Sequence, residues 1–399
     1  MTTAVPDHAA DPHGRVRWLG VVAAIASISV VGIAIGLGVP LLSVILDGRG
    51  YSPTLIGLNT AVAGIASIAA APLATPLAIR FGVVPTIVTM IVVGAFSFAG
   101  FYVADSFWMW FPLRAALHVA ITVLFILSEF WITASAPPRR RGFILGLYAT
   151  VLSLGFAFGP WLFSQIGSEG FLPFGVAFAL VIAAAVPVLA AWRESPDLRQ
   201  GGAEGRPANF VRYIFLVPTA TAAVLVFGAV ETGGFALFPV YGVREGYSEG
   251  DAALLLTMVG LGNVLLQIPL GIVSDRMRDR RLLLVACALI GLGGMLVLPS
   301  VSQNWPATAV LLFIWGGVVA GLYTVGLAHL GSKLSGRDLA SANAAFVLCY
   351  GIGMLAGPQA IGIGMDLLGN QGFAWTLAVF FALYVALAGF RLVRDSREA

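Results

Sequence analysis

Apolar residues fill this chain in long continuous runs, not in alternating positions, and short segments holding Gly, Pro or charge punctuate them. The runs fall at 18–46, 53–79, 83–103, 108–134, 142–166, 171–192, 213–241, 249–275, 281–299, 306–332, 338–368 and 373–393. Each is close to or above the roughly 20 residues that a helix needs to cross a bilayer. Continuity favours helices over a barrel, because in hydrocarbon every backbone group must find its partner inside the span. The first run is too long for a signal-peptide core and is followed by no convincing cleavage site, so it reads as a retained helix.

Composition sharpens that pattern. Hydrophobic residues make up 59% of the chain, charged residues 10%, and the mean hydropathy is +0.94, far from a soluble protein. The expected fold is an all-α membrane protein with twelve spans. The expected division is a polar tail at 1–17, a six-helix bundle at 18–192, a Gly-, Pro- and Arg-rich linker at 193–212, a second six-helix bundle at 213–393, and a tail at 394–399. His8 and His13 in the first tail read as solvated, not as metal ligands. Cys287 and Cys349 lie in apolar runs and point to neither a disulfide nor a zinc site.

Charge distribution predicts orientation. Of 22 Lys and Arg residues, 19 fall in the tails, the linker and alternate loops; the opposite loops hold only Arg49 and Arg244, and Arg114 lies inside a span. This bias predicts both termini in the cytoplasm of a cytoplasmic membrane.

An internal repeat predicts two similar halves. Gly50, Tyr51 and Ser52 recur as Gly246, Tyr247 and Ser248, and Arg80 recurs as Arg276, all at an offset of 196 residues. Gly159 and Pro160 recur as Gly357 and Pro358 at an offset of 198. Transporters built from such parallel repeats carry their substrate site between the halves near the midplane.

The loop after the eighth run holds Gly271, Asp275, Arg276 and the basic pair Arg280 and Arg281 in order. The fifth run holds Gly146, Gly155, Gly159 and Pro160. In these features residues 18–395 resemble a twelve-helix member of the major facilitator superfamily, the fifth-run pattern being similar to one linked to antiporters and exporters. The first-half loop keeps Arg80 and Gly82 but carries Ile79 where the resemblance expects an acid, which shifts the expected carboxylate latch to Asp275. Close approach at Gly155 and Gly159 and the lost hydrogen bond at Pro160 would make a packed pivot. The same residues also fit plain helix packing.

Ionisable residues inside spans demand explanation, since each costs about 2.5–3.5 kcal/mol at a helix centre. Arg114 lies about 9 Å inside the fourth run, with His118 one turn deeper on the same face. The resemblance matches Arg114 to a superfamily arginine associated with proton coupling. It would attract an anion or tune a carboxylate, or else lock two helices through carbonyls; His118 would exchange a proton or simply pack. Glu231 is the one acid well inside a second-half span, followed by Gly233 and Gly234, which permit local unwinding. It is the candidate proton carrier, with a structural hydrogen bond as the alternative. The resemblance would place Arg114, His118 and Glu231 around one central space.

Glu129 lies about 22 Å along the helix from Arg114 and so belongs to another site. With Arg80, Arg139, Arg140, Arg141, Asp275 and Arg276 it forms the candidate cytoplasmic gate. Asn59, Gln165, Asn263, Gln267, Asn343 and Gln359 read mostly as interhelical hydrogen-bonding groups, and Trp108, Trp110 and Trp305 as an aromatic belt. The expected function is a secondary carrier working as a monomer in a lipid bilayer. It moves a small-molecule solute by alternating access, with proton-coupled efflux favoured over symport, uncoupled uptake or a receptor role. It needs no cofactor or metal beyond a proton gradient, and no nucleic acid. A compact catalytic set such as His-Glu-x-x-His is absent, which speaks against an intramembrane enzyme.

Overall fold

The computed structural model describes residues 16–137, 140–196, 211–334 and 336–398. Most of the expected first tail, with His8 and His13, and most of the linker lie outside these residues, as does Arg139. Twelve helices are long and apolar enough to span a membrane. They are α1 (Trp18–Gly48), α2 (Pro53–Phe81), α3 (Val83–Val103), α4 (Phe107–Ser135), α5 (Arg141–Ile166), α6 (Leu172–Ala190), α7 (Pro218–Arg244), α8 (Glu249–Arg276), α9 (Arg280–Val301), α10 (Trp305–Lys333), α11 (Ser341–Leu368) and α12 (Gly372–Arg394). Each of the twelve apolar runs becomes one of them. Large apolar side chains such as Phe96, Ile268 and Leu383 point outward, where lipid accommodates them.

The Gly-Tyr-Ser repeat is a helix-to-helix turn. Gly50 and Gly246 have φ of 83° and 102°, a left-handed backbone that favours glycine and ends the preceding helix. Ser52 and Ser248 then cap the next helix by accepting from the backbone N–H of Leu55 at 3.4 Å and of Asp251 at 3.0 Å. Each tyrosine ties its turn to a neighbouring hairpin: Tyr51 stacks on Phe107, and Tyr247 donates to the carbonyl of Ser302. On the other face the halves diverge. Gly82, at φ 93°, turns α2 into α3, whereas Asp279 caps α9 by accepting from Arg281 N–H at 3.0 Å. The Arg281 side chain also donates to both Asp279 oxygens and holds that carboxyl below its ordinary range. This cap is therefore fully formed at neutral pH and weakens only as pH falls through the depressed value.

Helices meet at glycine. On α5, Gly155 abuts Gly32, and Gly159 abuts Gly36, of α1, at the point where α1 widens into a π-helical turn over Ala34–Gly38. On α11, Gly353 and Gly357 meet Leu225 and Ala229 of α7 in the corresponding way. Two further crossings join the halves: Gly57 and Gly64 of α2 against α11, and Gly260 of α8 against Phe156 and Ala157 of α5. Within the first half, α2 and α4 are cross-linked by Arg114 Nε donating to Asn59 Oδ1 at 3.1 Å and by Thr122 donating to Ser67 at 2.9 Å.

A side chain at Gly155 would place its Cβ 2.5 Å from Gly32 Cα, whereas Gly146 on the same helix has nothing within 4 Å. Gly155→Val is expected to destabilise the protein by about 1–3 kcal/mol and Gly146→Ala by less than about 0.5. Thermal unfolding in detergent compares them, and equal melting of the two variants would remove the close-packing argument.

Candidate functional site

A cavity with about 590 Å³ of empty space, its open part included, lies mainly among α7, α8 and α10. Its lining includes Phe227, Glu231 and Phe235 of α7, Asn263 of α8, Trp315 of α10 and, across from the first half, Phe156 of α5. Phe156 meets Phe235 edge to face at 5.4 Å, so the cavity abuts the interface between halves. Glu231 is partly buried and accepts a 2.5 Å hydrogen bond from Tyr350 of α11 on Oε2. Among the described residues Oε1 has no hydrogen-bond partner. Aromatic rings back this carboxylate: Tyr350 neighbours Phe227 at 6.3 Å and Tyr323 at 6.1 Å. Asn263 accepts from Gln267 Nε2 at 2.7 Å, one turn away on the same helix. No Lys or Arg is among the cavity's lining residues. Helix α7 runs unbroken through Gly233 and Gly234; Gly233 serves to let α11 approach at Gly357 and Pro358, not to unwind the helix.

Arg114 and His118 are not in this cavity. Both are buried in the first half, Arg114 against Asn59 of α2, and neither α1 nor α4 contributes to the lining. Arg114 Nη1 and Nη2, Asn59 Nδ2 and His118 Nδ1 have no hydrogen-bond partner. The shared space around Arg114, His118 and Glu231 is thus divided in this structure between two sites in different halves.

The candidate gate residues lie toward the face that carries the basic loops. Arg80, Glu129, Arg140, Arg141, Asp275 and Arg276 are exposed. Arg80 lies over the Phe81 ring at 5.2 Å, and Asp275 near the end of α8 makes one 3.4 Å contact with Arg280 at the start of α9. None of them forms an ion pair between halves among the described residues. Gly155, Gly159 and Pro160 sit where α5 crosses α1, so the candidate pivot is a backbone-to-backbone contact.

Polar contacts between halves are found instead on the opposite face. Arg244 at the end of α7 pairs with Asp47 at the end of α1 at 2.7 Å. Asp366 of α11 accepts from the Thr54 backbone N–H at the start of α2 at 3.0 Å, and Glu249 of α8 accepts from Ser168 at 2.6 Å. Within the second half, Glu245 gathers Ser302, Gln303, Asn370 and Gln371 and so ties three loops together. Sequence reading missed these groups, although one signal pointed to them. Arg49 and Arg244 are the two basic residues on the wrong side of the charge bias, and both are engaged: Arg244 with Asp47, Arg49 with the Ala104 carbonyl and the Trp110 ring. That contact corrects the belt assignment of Trp110, which is fully buried and donates to Ala104 O at 3.0 Å; Trp108, by contrast, is 69% exposed. Tyr350 had no distinguishing signal in an apolar run.

Two six-helix bundles joined at two glycine crossings, with a cavity in the second half that abuts their interface and holds a single carboxylate at membrane depth, define a multi-pass membrane protein of carrier type. The chain belongs to the Major Facilitator Superfamily, whose model matches residues 18–255 and 246–399. It is similar to the uncharacterized MFS-type transporter YfkF of Bacillus subtilis (strain 168), 27% identical over 340 residues, covering 84% of this chain and 86% of that protein. Similarity to the uncharacterized MFS-type transporter YcaD of Escherichia coli (strain K12 / DH10B) is 25% over 264 residues, covering 65% and 66%. Among solved structures, the nucleoside transporter NupG superposes with a TM-score of 0.74 at 12% identity, covering 94% of this chain and 98% of that one. A D-xylose-proton symporter gives 0.71 at 17% identity, covering 93% and 96%. These two likenesses are of fold. The protein is a transporter of this superfamily.

The polar contacts on one face imply a closed state there. Removing the partly exposed Asp47–Arg244 pair by Asp47→Asn is expected to cost about 0.2–1 kcal/mol of that closure, up to about fivefold in population. Pulsed electron-spin distances between labels at Asp105 and Leu367 should then lengthen or broaden. An unchanged distribution would show that the pair does not hold this face shut.

Proposed function

We propose that this transporter is a proton-coupled exchanger that expels a small organic solute by alternating access, with Glu231 as the group that carries the proton. The observation that carries the reading is the Glu231 carboxylate: it sits in an aromatic-lined cavity, has one oxygen bonded to Tyr350 and the other free, and faces no basic side chain among the lining residues. A carboxylate without a positive partner can take up a proton without breaking an ion pair, and a proton can be exchanged when water or a cationic group reaches it. The lining therefore suits a solute with an apolar or aromatic body that is neutral or positively charged, and it disfavours an anion.

Efflux is supported by the glycine and proline pattern on α5, which resembles that of exporters and antiporters. The basic-residue bias supports a bacterial inner-membrane location with both termini in the cytoplasm. On that orientation the polar contacts close the periplasmic face, and Arg80, Glu129, Arg140, Arg141, Asp275 and Arg276 are free to engage when the cytoplasmic face closes. One chain supplies both halves of the transport path, so a monomer suffices. Energetically a proton is adequate: one charge crossing 100 mV supplies about 2.3 kcal/mol, against about 1.4 for each tenfold gradient.

The test begins with a solute found by thermal-shift screening of purified protein and continues in proteoliposomes with an imposed pH gradient. Wild type is expected to accumulate the solute against its gradient. Glu231→Gln should lose accumulation entirely while retaining downhill flux, and full gradient-driven accumulation by that variant would overturn the proton assignment.

A further inference from the structure

We propose that Arg114 and Asn59 form a binding site for one small monovalent anion, buried between α4 and α2 and separate from the Glu231 cavity. Arg114 is fully buried, and its guanidinium stays charged at any physiological pH. Of its three nitrogens only Nε has a partner, Asn59 Oδ1 at 3.1 Å. Because Nε can only donate, Asn59 must present its oxygen there, which leaves Nδ2 as a further donor. Nη1 and Nη2 of Arg114 and Nδ2 of Asn59 are all buried and unpartnered, and Nδ1 of His118, one turn along α4, is unpartnered too.

The two η nitrogens and Asn59 Nδ2 are donors around a full positive charge, and among the described residues the guanidinium has no hydrogen-bond acceptor beyond Asn59 Oδ1. The described carboxylates of the first half are committed or distant. Asp47 pairs with Arg244, Glu194 accepts from the Gly20 N–H at the start of α1, and Asp105 and Glu169 are exposed. Glu129 lies on the same helix, about 22 Å away. A buried charge is tolerated when it is paired and its hydrogen-bonding capacity is filled. Among the described residues no carboxylate pairs with this charge, so its complement is assigned to an ion from solution.

The planar fork of the two η nitrogens, with an amide N–H beside it, suits a halide or a carboxylate group. Both are the same chemistry to these donors, and they differ in source: inorganic chloride, or the carboxylate of an organic molecule. Occupancy would brace α2 against α4, and α2 is the helix whose Gly57 and Gly64 cross to α11 of the other half. The site therefore sits on an element that must move if the halves rock.

The experiment uses the purified full chain at constant ionic strength, with sodium gluconate replaced stepwise by sodium chloride or sodium formate. A saturable rise in Tm is expected with the small anion and absent with gluconate. Asn59→Leu should weaken its apparent affinity about tenfold, and Arg114→Gln should abolish it. Bromide replacing chloride in wild-type crystals should give an anomalous peak within hydrogen-bond reach of Arg114 Nη1 or Nη2, which serves even where Arg114→Gln fails to fold. Displacement of bromide by formate would identify a carboxylate-accepting site, and retention would identify a halide site. Identical melting in all three salts, anion dependence that survives in Arg114→Gln, or ordered water with no halide at Arg114 would each overturn the proposal. None of these outcomes depends on Glu231 or on proton coupling.

Discussion

Backbone meeting backbone at glycine is the interaction on which this molecule depends. Lipid is as apolar as the helices, so burial of oily side chains gives no drive for helices to associate; close van der Waals contact must supply it. Crossings of this kind join α1 with α5, α7 with α11 and α8 with α10 inside the halves, and α2 with α11 and α5 with α8 between them. Helices α5 and α11 each take part in an internal crossing and an interface crossing. Both helices contain a proline beside a crossing glycine, Pro160 in α5 and Pro358 in α11.

The charges inside this frame are arranged so that neither half neutralises the other. Arg114 lies within the first half and Glu231 beside the interface in the second, and no opposite charge of the described chain pairs with either. A structural ion pair would have spent both charges on holding helices together. Separation leaves each one without a counter-charge among the described residues, unlike the paired charges of a packed core.

Closure on one face rests on carboxylates at helix ends, where the two halves come within hydrogen-bond distance: Asp47, Glu249 and Asp366. These contacts are few and partly solvated, so each is weak and their sum is reversible, as a gate requires. Glu245 is different in kind. It collects four donors from within one half and keeps that half's loops together while the gate opens or closes.

Much of this was legible along the chain because the bilayer imposes one-dimensional rules. Run length decided the twelve spans, and the Gly-Tyr-Ser and Gly-Pro repeats decided the two related halves, since each is a local backbone requirement: a left-handed turn with a serine cap, or a close crossing. Ionisable residues inside spans could likewise be flagged one by one, because each carries its cost wherever it sits. Partnership could not be read in this way. That Glu231 bonds Tyr350, that Arg114 faces Asn59 and not Glu231, and that Trp110 is buried beneath Arg49 all depend on which helix faces meet. A helix in lipid has no water side to set its rotation, so those faces are chosen only by packing between helices, and packing exists only in three dimensions.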